Sequence, residues 1–337
     1  MPKGILPRGT IFWTVLFLIG LFLPLTFGGL GFLSDLGLFT VYASANLMWS
    51  LVLGTAGIYS FATFAIVGAS GYLAAYLSVA HGWPWPAMLV AGTLAGLVLG
   101  LLVTIPAVRL RGVYFALLTF GLASLFSSYA NVTDALGGAQ GLYGADSFVP
   151  QADVGTRGGA LIASYAGLTL LIVALLVHRW VDDGRLGLLL RTARESEPFA
   201  RALGIDIVRA RLVVLAISSA VLGLVGAFYV NFYRGISPAI FDFGTLLLLF
   251  AMIVVGGLGS RRGVLLGTAV LLFISEAFLQ AGPVRLIVIA LLMLLVTLFT
   301  RSGLIGIPEQ LREWLARRYA QRGSSSPSPL WGGSGRG

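Results

Sequence analysis

From Leu212 to Asn231 the chain runs for 20 residues without one charged side chain, and nine other stretches of similar length and apolar character recur along it. A helix rises about 1.5 Å per residue, so such a stretch reaches roughly 30 Å, the thickness of a bilayer's hydrocarbon core. The composition agrees: 58% of residues are hydrophobic, 10% are charged, and the mean hydropathy is +0.94. A water-soluble fold of 337 residues needs far more polar surface than this. The expected fold class is therefore an all-α integral membrane protein, a polytopic helical bundle of about ten spans.

The predicted spans are Ile11–Gly28, Val41–Gly57, Phe61–Val79, Pro86–Val108, Val113–Asn131, Gly159–Val181, Leu212–Asn231, Phe243–Leu258, Val264–Gln280 and Arg285–Thr300. Charge tests their order. With the N-terminus inside, 19 basic residues fall on the cytoplasmic side and three, Arg157, Arg234 and Arg285, on the other. That asymmetry predicts ten spans with both termini cytoplasmic. The apolar run near the N-terminus is too long for a signal peptide and reads as a retained first span. Between the second and third spans lies only "GIYS", Gly57 to Ser60, which fits either a tight hairpin or a broken, re-entrant element lining a cavity. Residues 1–307 are read as the transmembrane domain and 308–337 as a cytoplasmic tail, with a low-complexity, disordered end.

Several classes of chemistry fall away. Cysteine is absent, which removes disulfides, thiolate metal sites and cysteine nucleophiles. Lys3 is the only lysine, so no phosphate loop of the Walker type can be built. His81 and His178, the two histidines, have no companion at metal-ligand spacing and form no catalytic triad. The chain is expected to be no enzyme and to bind no cofactor or metal itself. Glu276, one turn from the end of the ninth span, is an intramembrane carboxylate with either a functional or an interfacial role, with Arg285 as a candidate partner. Gly92, Gly96 and Gly100, and again Gly259, Gly263 and Gly267, stand at four-residue spacing, which lets helices approach closely.

One segment breaks the apolar pattern. "LLLRTARESEPFARALGIDIVRARL", Leu188 to Leu212, crowds eight charged residues between two spans. Within it, Pro198 suits the start of a helix and Gly204 the position just past its end, so the spacing predicts a short helix over Pro198–Leu203. Phe199, Ala202 and Leu203 give this helix an apolar face on the aqueous side of the membrane. Such a face asks for a partner protein.

At these residues the sequence resembles the permease subunits of branched-chain amino acid ABC importers, of the LivM type. "RTARESEPFARALGI" is similar to that family's EAA loop, whose short helix docks on an ATPase. The match lies at Arg194, Glu195, Glu197, Ala200, Arg201, Ala202, Leu203, Gly204 and Ile205, while Pro198 and Phe199 depart from it. "RLRGVYFALLTFG" from Arg109, "LGGAQGL" from Leu136 and "GGLGSRRGVLLG" from Gly256 resemble further family elements. "GTAGIYSFATFAIVGASGY", Gly54 to Tyr72, follows the family's second-to-third-span element, with Ile58 and Thr63 where glutamine and histidine are usual. The similarity covers roughly Leu47 to Ile307.

The resemblance implies a coupling loop at 182–211 in which Arg194, Glu195, Glu197, Ala200, Arg201 and Gly204 serve ATPase docking. It implies a solute path beside the broken element, with Gly57, Ser60 and Thr63, and Tyr114 and Thr119 from the fifth span, as candidates. It also implies the partners: ABC ATPase subunits using ATP and magnesium, a second permease of the LivH type and an extracytoplasmic solute-binding protein, with no nucleic acid. Branched-chain or other small amino acids are the expected cargo. Related permeases carry urea or short amides, and that alternative stays open. A stand-alone secondary transporter or channel is the rival of another class, and it predicts several deep carboxylates where only Glu276 is available.

Overall fold

The computed structural model describes residues 24, 29–110, 112–278, 282, 284–299 and 303–304. The predicted first span apart from residue 24 and the tail at 308–337 lie outside the described residues, as do the ends of the predicted ninth and tenth spans.

Each of the other nine predicted spans coincides with a helix. In chain order these are α1 (Leu30–Ser50), α2 (Ala62–His81), α3 (Trp85–Arg109), α4 (Val113–Val132), α5 (Arg157–Asp182), α8 (Ile207–Tyr233), α9 (Phe243–Gly256), α10 (Arg261–Ala277) and α11 (Val284–Phe299). Two helices, α6 (Arg185–Glu195) and α7 (Glu197–Ala202), occupy the charged segment. Six of the nine are long and apolar enough to cross a membrane, whereas α9, α10 and α11 have only 14, 17 and 16 residues. The protein is an all-α, polytopic membrane protein.

Local chemistry explains the boundaries. Side chains of Thr156, Asp206, Asp242 and Ser260 accept from the free N–H groups at the starts of α5, α8, α9 and α10. Gly82, with φ +65°, ends α2 in the left-handed conformation. Helix α1 begins eleven residues before the predicted Val41, because the sequence from Leu30 contains no proline to stop it.

Packing divides the helices by face. Along α3, Val90, Leu94, Val98, Leu101 and Ile105 form an exposed apolar stripe, as a lipid-facing side requires. The opposite side carries Gly92, Gly96 and Gly100 and lies against α8. A Cβ on Gly96 would sit 2.3 Å from the Ser219 carbonyl oxygen and 2.6 Å from the Gly223 Cα. The four-residue glycine spacing therefore serves backbone-to-backbone packing of α3 on α8. Gly263 and Gly267 do the same for α10 against Gly256 of α9.

The contacts also sort the helix ends onto two sides. At one, Trp85 N–H donates to Asp146, Ser147 Oγ donates to the Asn231 carbonyl, and the long loop after α4 adds a two-residue strand, Leu142–Tyr143, antiparallel to Gly235–Ile236. This small ladder is a departure from helix that the sequence pattern did not announce. At the other side meet the end of α1, the start of α4, α6, α7 and the turn between α9 and α10. Glu276 is half-buried and makes no ion pair with Arg285 among the described residues.

Candidate functional site

Helix α1 does not end cleanly. The five residues that continue it, Leu51–Thr55, form a π-turn, and the chain then leaves helix altogether until Ala62. Gly57 makes the exit possible with φ +67°. Several free groups of this break find partners, Ile58 N–H on the Val52 carbonyl among them. Ser60 Oγ accepts from Ala62 N–H at 3.1 Å, and Thr119 Oγ1, from α4, accepts from Phe61 N–H at 2.9 Å. Trp49 Nε1 donates to the Ser60 carbonyl at 2.7 Å, tying the break back onto α1. Between the second and third predicted spans the chain is thus non-helical from Ala56 to Phe61, buried except at Gly57, Tyr59 and Phe61, and this break joins two helices each long enough to cross a membrane.

Trp49 is also the centre of an aromatic cluster. Its ring centroid stands 5.8 Å from Phe61, 5.7 Å from Phe64 and 5.8 Å from Phe250, and the two phenylalanine contacts from the break side are edge-on. The cluster separates two cavities, because Trp49 lines both. One, of about 220 Å³, is bounded by α1, α2, α8 and α9 and by the turn after α8, and its lining includes the polar residues Tyr42, Asn46, Thr63, Tyr229, Ser237 and Thr245. The second, of about 310 Å³ and almost wholly apolar, lies between the break, Gly112 and Val113 of the α3–α4 turn, and Phe250. A third, of about 330 Å³, lies beyond the break, between Gly57 and Tyr59 and the side chains of Arg194, Glu197 and Arg211.

The α6–α7 segment is clamped to this broken end. Thr55 Oγ1 donates to Asp182 Oδ1 at 2.8 Å, and Arg191 pairs with the same carboxylate at 3.2 Å. Arg194 donates to the Gly54 carbonyl, and its stem packs so closely on Gly57 that a Cβ there would lie 2.8 Å from Arg194 Cγ. Glu197 accepts from Arg211 at 2.5 Å, and Arg201 stands 3.8 Å from the same carboxylate. Gly54 in turn touches the α9–α10 turn, where Arg261 reaches back to Asp183 through two bonds of 2.8 and 3.0 Å. Four separate parts of the sequence meet there.

Helix α7 itself has two faces. Ser196 caps it, accepting from Phe199 N–H, Pro198 occupies its second position, and Gly204 follows it with φ +76°. The helix spans Glu197–Ala202, one residue earlier than the proline suggests. Ala200 is fully buried on Ala193 and Ile207, so it holds α7 to α6 and α8 and does not point outward. Phe199, Ala202 and Leu203 are exposed, Phe199 by 58% and Leu203 by 60%. Glu195 is exposed at the end of α6. Of the candidate path residues, Thr63 lines the first cavity, Ser60 the second and Gly57 the third. Thr119 is buried behind Phe61, while Tyr114 is 75% exposed on the outside of the bundle. Among the described residues no group of acidic, histidine or cysteine side chains could hold a metal ion.

The family model described as "Branched-chain amino acid transport system / permease component" matches residues 31–297, from the start of α1 through α11. The chain belongs to this family. Among curated relatives, the permease is 26% identical over 294 residues to the high-affinity branched-chain amino acid transport system permease protein LivM of Salmonella typhimurium, and to LivM of Escherichia coli to the same degree. Each alignment covers 79% of the permease and 68% of the relative. No solved structure matches it significantly.

Sequence reasoning missed several residues of the permease that the fold brings to these sites. Helix α6 carries a readable signal, since Leu186, Leu190 and Ala193 recur at helical spacing and Leu190 and Ala193 are buried. Asp182, at the very end of a long apolar helix, was hidden among the other charges of the loop. Asn46 and Trp49 gave no signal, because nothing in an apolar run tells which side faces a cavity.

Proposed function

We propose that the chain is a transmembrane permease subunit of an ABC importer that moves branched-chain or other small amino acids. It forms the passage together with a second permease of the LivH type. Two ATPase subunits on the cytoplasmic side bind and hydrolyse ATP with magnesium, and an extracytoplasmic solute-binding protein delivers the cargo. The basic residues concentrated at the α6–α7 side support a cytoplasmic position for that side, with both termini cytoplasmic in a bacterial inner membrane.

One observation carries this reading: α7 turns Phe199, Ala202 and Leu203 outward while its other side is fastened to the broken end of α1. A solvated loop has no need of an ordered helix with that exposed face. Docked on an ATPase, the face receives motion, and the Arg194 and Asp182 contacts pass it to the break beneath the aromatic cluster. Alternating access then opens one cavity as the other closes.

The test is Phe199→Asp and Leu203→Asp in membranes containing the whole transporter. Both sites lie outside the spans, so insertion and pairing with the second permease are expected to persist. ATPase co-purification and ATP-dependent leucine uptake are expected to fall at least tenfold. Wild-type ATPase binding and uptake in both variants would overturn the docking role. Leucine uptake that needs an ion gradient and no ATP would replace the importer with a stand-alone secondary transporter.

A further inference from the structure

We propose that the 330 Å³ cavity beyond the break is a binding site for the phosphate group of an anionic membrane lipid, held between Arg194 and Arg211. The inference goes beyond transport itself, and it takes from the permease reading that this side of the protein faces the cytoplasm.

The cavity sits where helix ends meet. Its lining comes from the break after α1, the end of α3, the start of α4, and α6, α7 and α8. In a membrane protein that level is where lipid headgroups lie. Among the described residues its charged lining is Arg194, Glu197 and Arg211, two positive charges against one negative.

Neither arginine is used up. Arg194 donates to the Gly54 carbonyl through one terminal nitrogen, and Arg211 donates to Glu197 through one. Their remaining N–H groups have no hydrogen-bond partner among the described residues. The Arg211 side chain is only 20% exposed, so water reaches its donors poorly. Shielded guanidinium donors are costly unless an acceptor meets them, and the paired oxygens of a phosphate match the guanidinium fork. Glu197 sets the charge of that acceptor. It is held by Arg211, with Arg201 3.8 Å away, and it reduces the lining to one net positive charge. A phosphate diester carries one negative charge and balances it. A neutral group leaves the charge unmet.

The neighbouring cavity points to a lipid as the source of the phosphate. Tyr59 and Gly112 line both the charged cavity and the almost wholly apolar second one, so the two adjoin. Val113, which also lines the apolar cavity, is 70% exposed, and Leu117 one turn further along α4 is 62% exposed. Charge, then an apolar slot, then an exposed apolar helix face is the order of a phosphate and its acyl chain. A free phosphate ion has no use for the last two. Arg109 and Arg111, in the same α3–α4 turn, add positive charge that draws anionic headgroups to this edge. Size agrees as well. A cavity of roughly 150 Å³ holds benzene, so one of about 330 Å³ admits a phosphate with its ester carbons.

Cysteine is absent from the chain, so Leu110→Cys, in the cavity lining, introduces its only thiol. The assembled transporter carrying it is placed in phosphatidylcholine nanodiscs and labelled with a small neutral methanethiosulfonate. Exchanging part of the lipid for phosphatidylglycerol is expected to slow labelling at least fivefold, whereas phosphatidylethanolamine is expected to leave the rate unchanged. Adding Arg211→Gln is expected to abolish the protection. Tyr59→Glu is expected to do the same, because it cancels the net positive charge while leaving both arginine bonds in place, and it keeps the test open if Arg211→Gln loosens α7. An unaltered labelling rate of the variants in phosphatidylcholine shows that the cavity persists. The proposal is overturned if phosphatidylglycerol gives no protection, if phosphatidylethanolamine protects equally, or if protection survives both variants. Inorganic phosphate separates the sources: protection by the free ion and none by phosphatidylglycerol overturns the lipid assignment. Protection without ATP-dependent leucine uptake would keep the lipid site and discard the importer, and uptake without protection would do the reverse.

Discussion

The Gly54 contact gives the most direct test of whether the broken end of α1 is a working part. A Cβ at Gly54 would lie 2.4 Å from the Gly259 nitrogen and 2.6 Å from its Cα. Ordinary contact begins near 3.4 Å, so Gly54→Ala must push the end of α1 and the α9–α10 turn about 1 Å apart. Both neighbouring atoms are backbone, so no side chain can rotate away. Overpacking of this kind costs about 1–3 kcal/mol, and alanine returns up to ~1 kcal/mol through its better helix propensity. A net loss of about 1–2 kcal/mol is expected, seen as a few degrees in thermal unfolding of the purified transporter. The same movement draws the Gly54 carbonyl from Arg194, so ATP-dependent uptake should fall by more than the stability loss alone explains. Gly121→Ala is the control, since nothing lies within 4 Å of a Cβ there. Should the two alanine variants match in unfolding temperature and in uptake, the contact carries neither stability nor coupling.

Two further outcomes follow from the same geometry. Reporter fusions after Thr156 and Ser237 should read external and a fusion after Glu197 cytoplasmic, as 19 basic residues against three require, and an external reading at Glu197 would undo the orientation. Asp182→Leu removes the acceptor of Thr55 and the partner of Arg191, with an expected loss of about 1–2 kcal/mol after allowing for the half-exposed arginine; Asp182→Asn, which keeps an acceptor for Thr55, should lose less in the same unfolding assay, and equal losses would show that the Thr55 bond contributes little.

Most of the architecture was legible because lipid enforces a simple rule: a spanning segment must be apolar, long and helical. The limits of α4 could be read almost to the residue from where charge begins, whereas α8 starts at Ile207, five residues before the predicted Leu212 and inside the charged segment. The start of α1 could not, since Leu30 to Thr40 contains one aspartate and two glycines among apolar residues and reads equally well as a loop. The short helix α7 was legible from Pro198 and Gly204, because capping chemistry is local. Its facing was only half legible. Phe199 and Leu203 are outward as the apolar pattern suggests, but Ala200 is inward, and that depends on α6 and α8 lying behind it. Asn46 illustrates the remaining gap. Its neighbours Met252 and Thr268 stand 206 and 222 residues away, so no local pattern could reveal that one of its amide atoms is left without a partner.

The stiffness of the parts decides which of them can move in transport. Helices α3 and α8 meet through glycine backbones, with Gly223 itself so close to Gly92 that a Cβ would lie 2.2 Å from that carbonyl oxygen. Interlocked surfaces of this kind cannot slide without separating first. The broken element is different. From Gly57 to Ser60 the chain has no helical ladder to resist rotation; it is held by Ile58 N–H on the Val52 carbonyl and by Trp49 Nε1 on the Ser60 carbonyl, with Arg194 on Gly54 and Thr119 on Phe61 fastening its two flanks. On the proposed reading, force applied at Phe199 and Leu203 reaches Arg194 through the Ala193–Ala200 packing, reaches Gly54 and Gly57 through Arg194, and reaches Trp49 through the Ser60 carbonyl. Trp49 is also the residue shared by the two cavities. A contiguous route is not itself a coupling free energy, and the route must have two arrangements to carry one. The π-turn at Leu51–Thr55 supplies the means, because converting it to regular helix shifts the register of every residue after it, Gly57 included, while leaving Asn46 and the outer cavity in place.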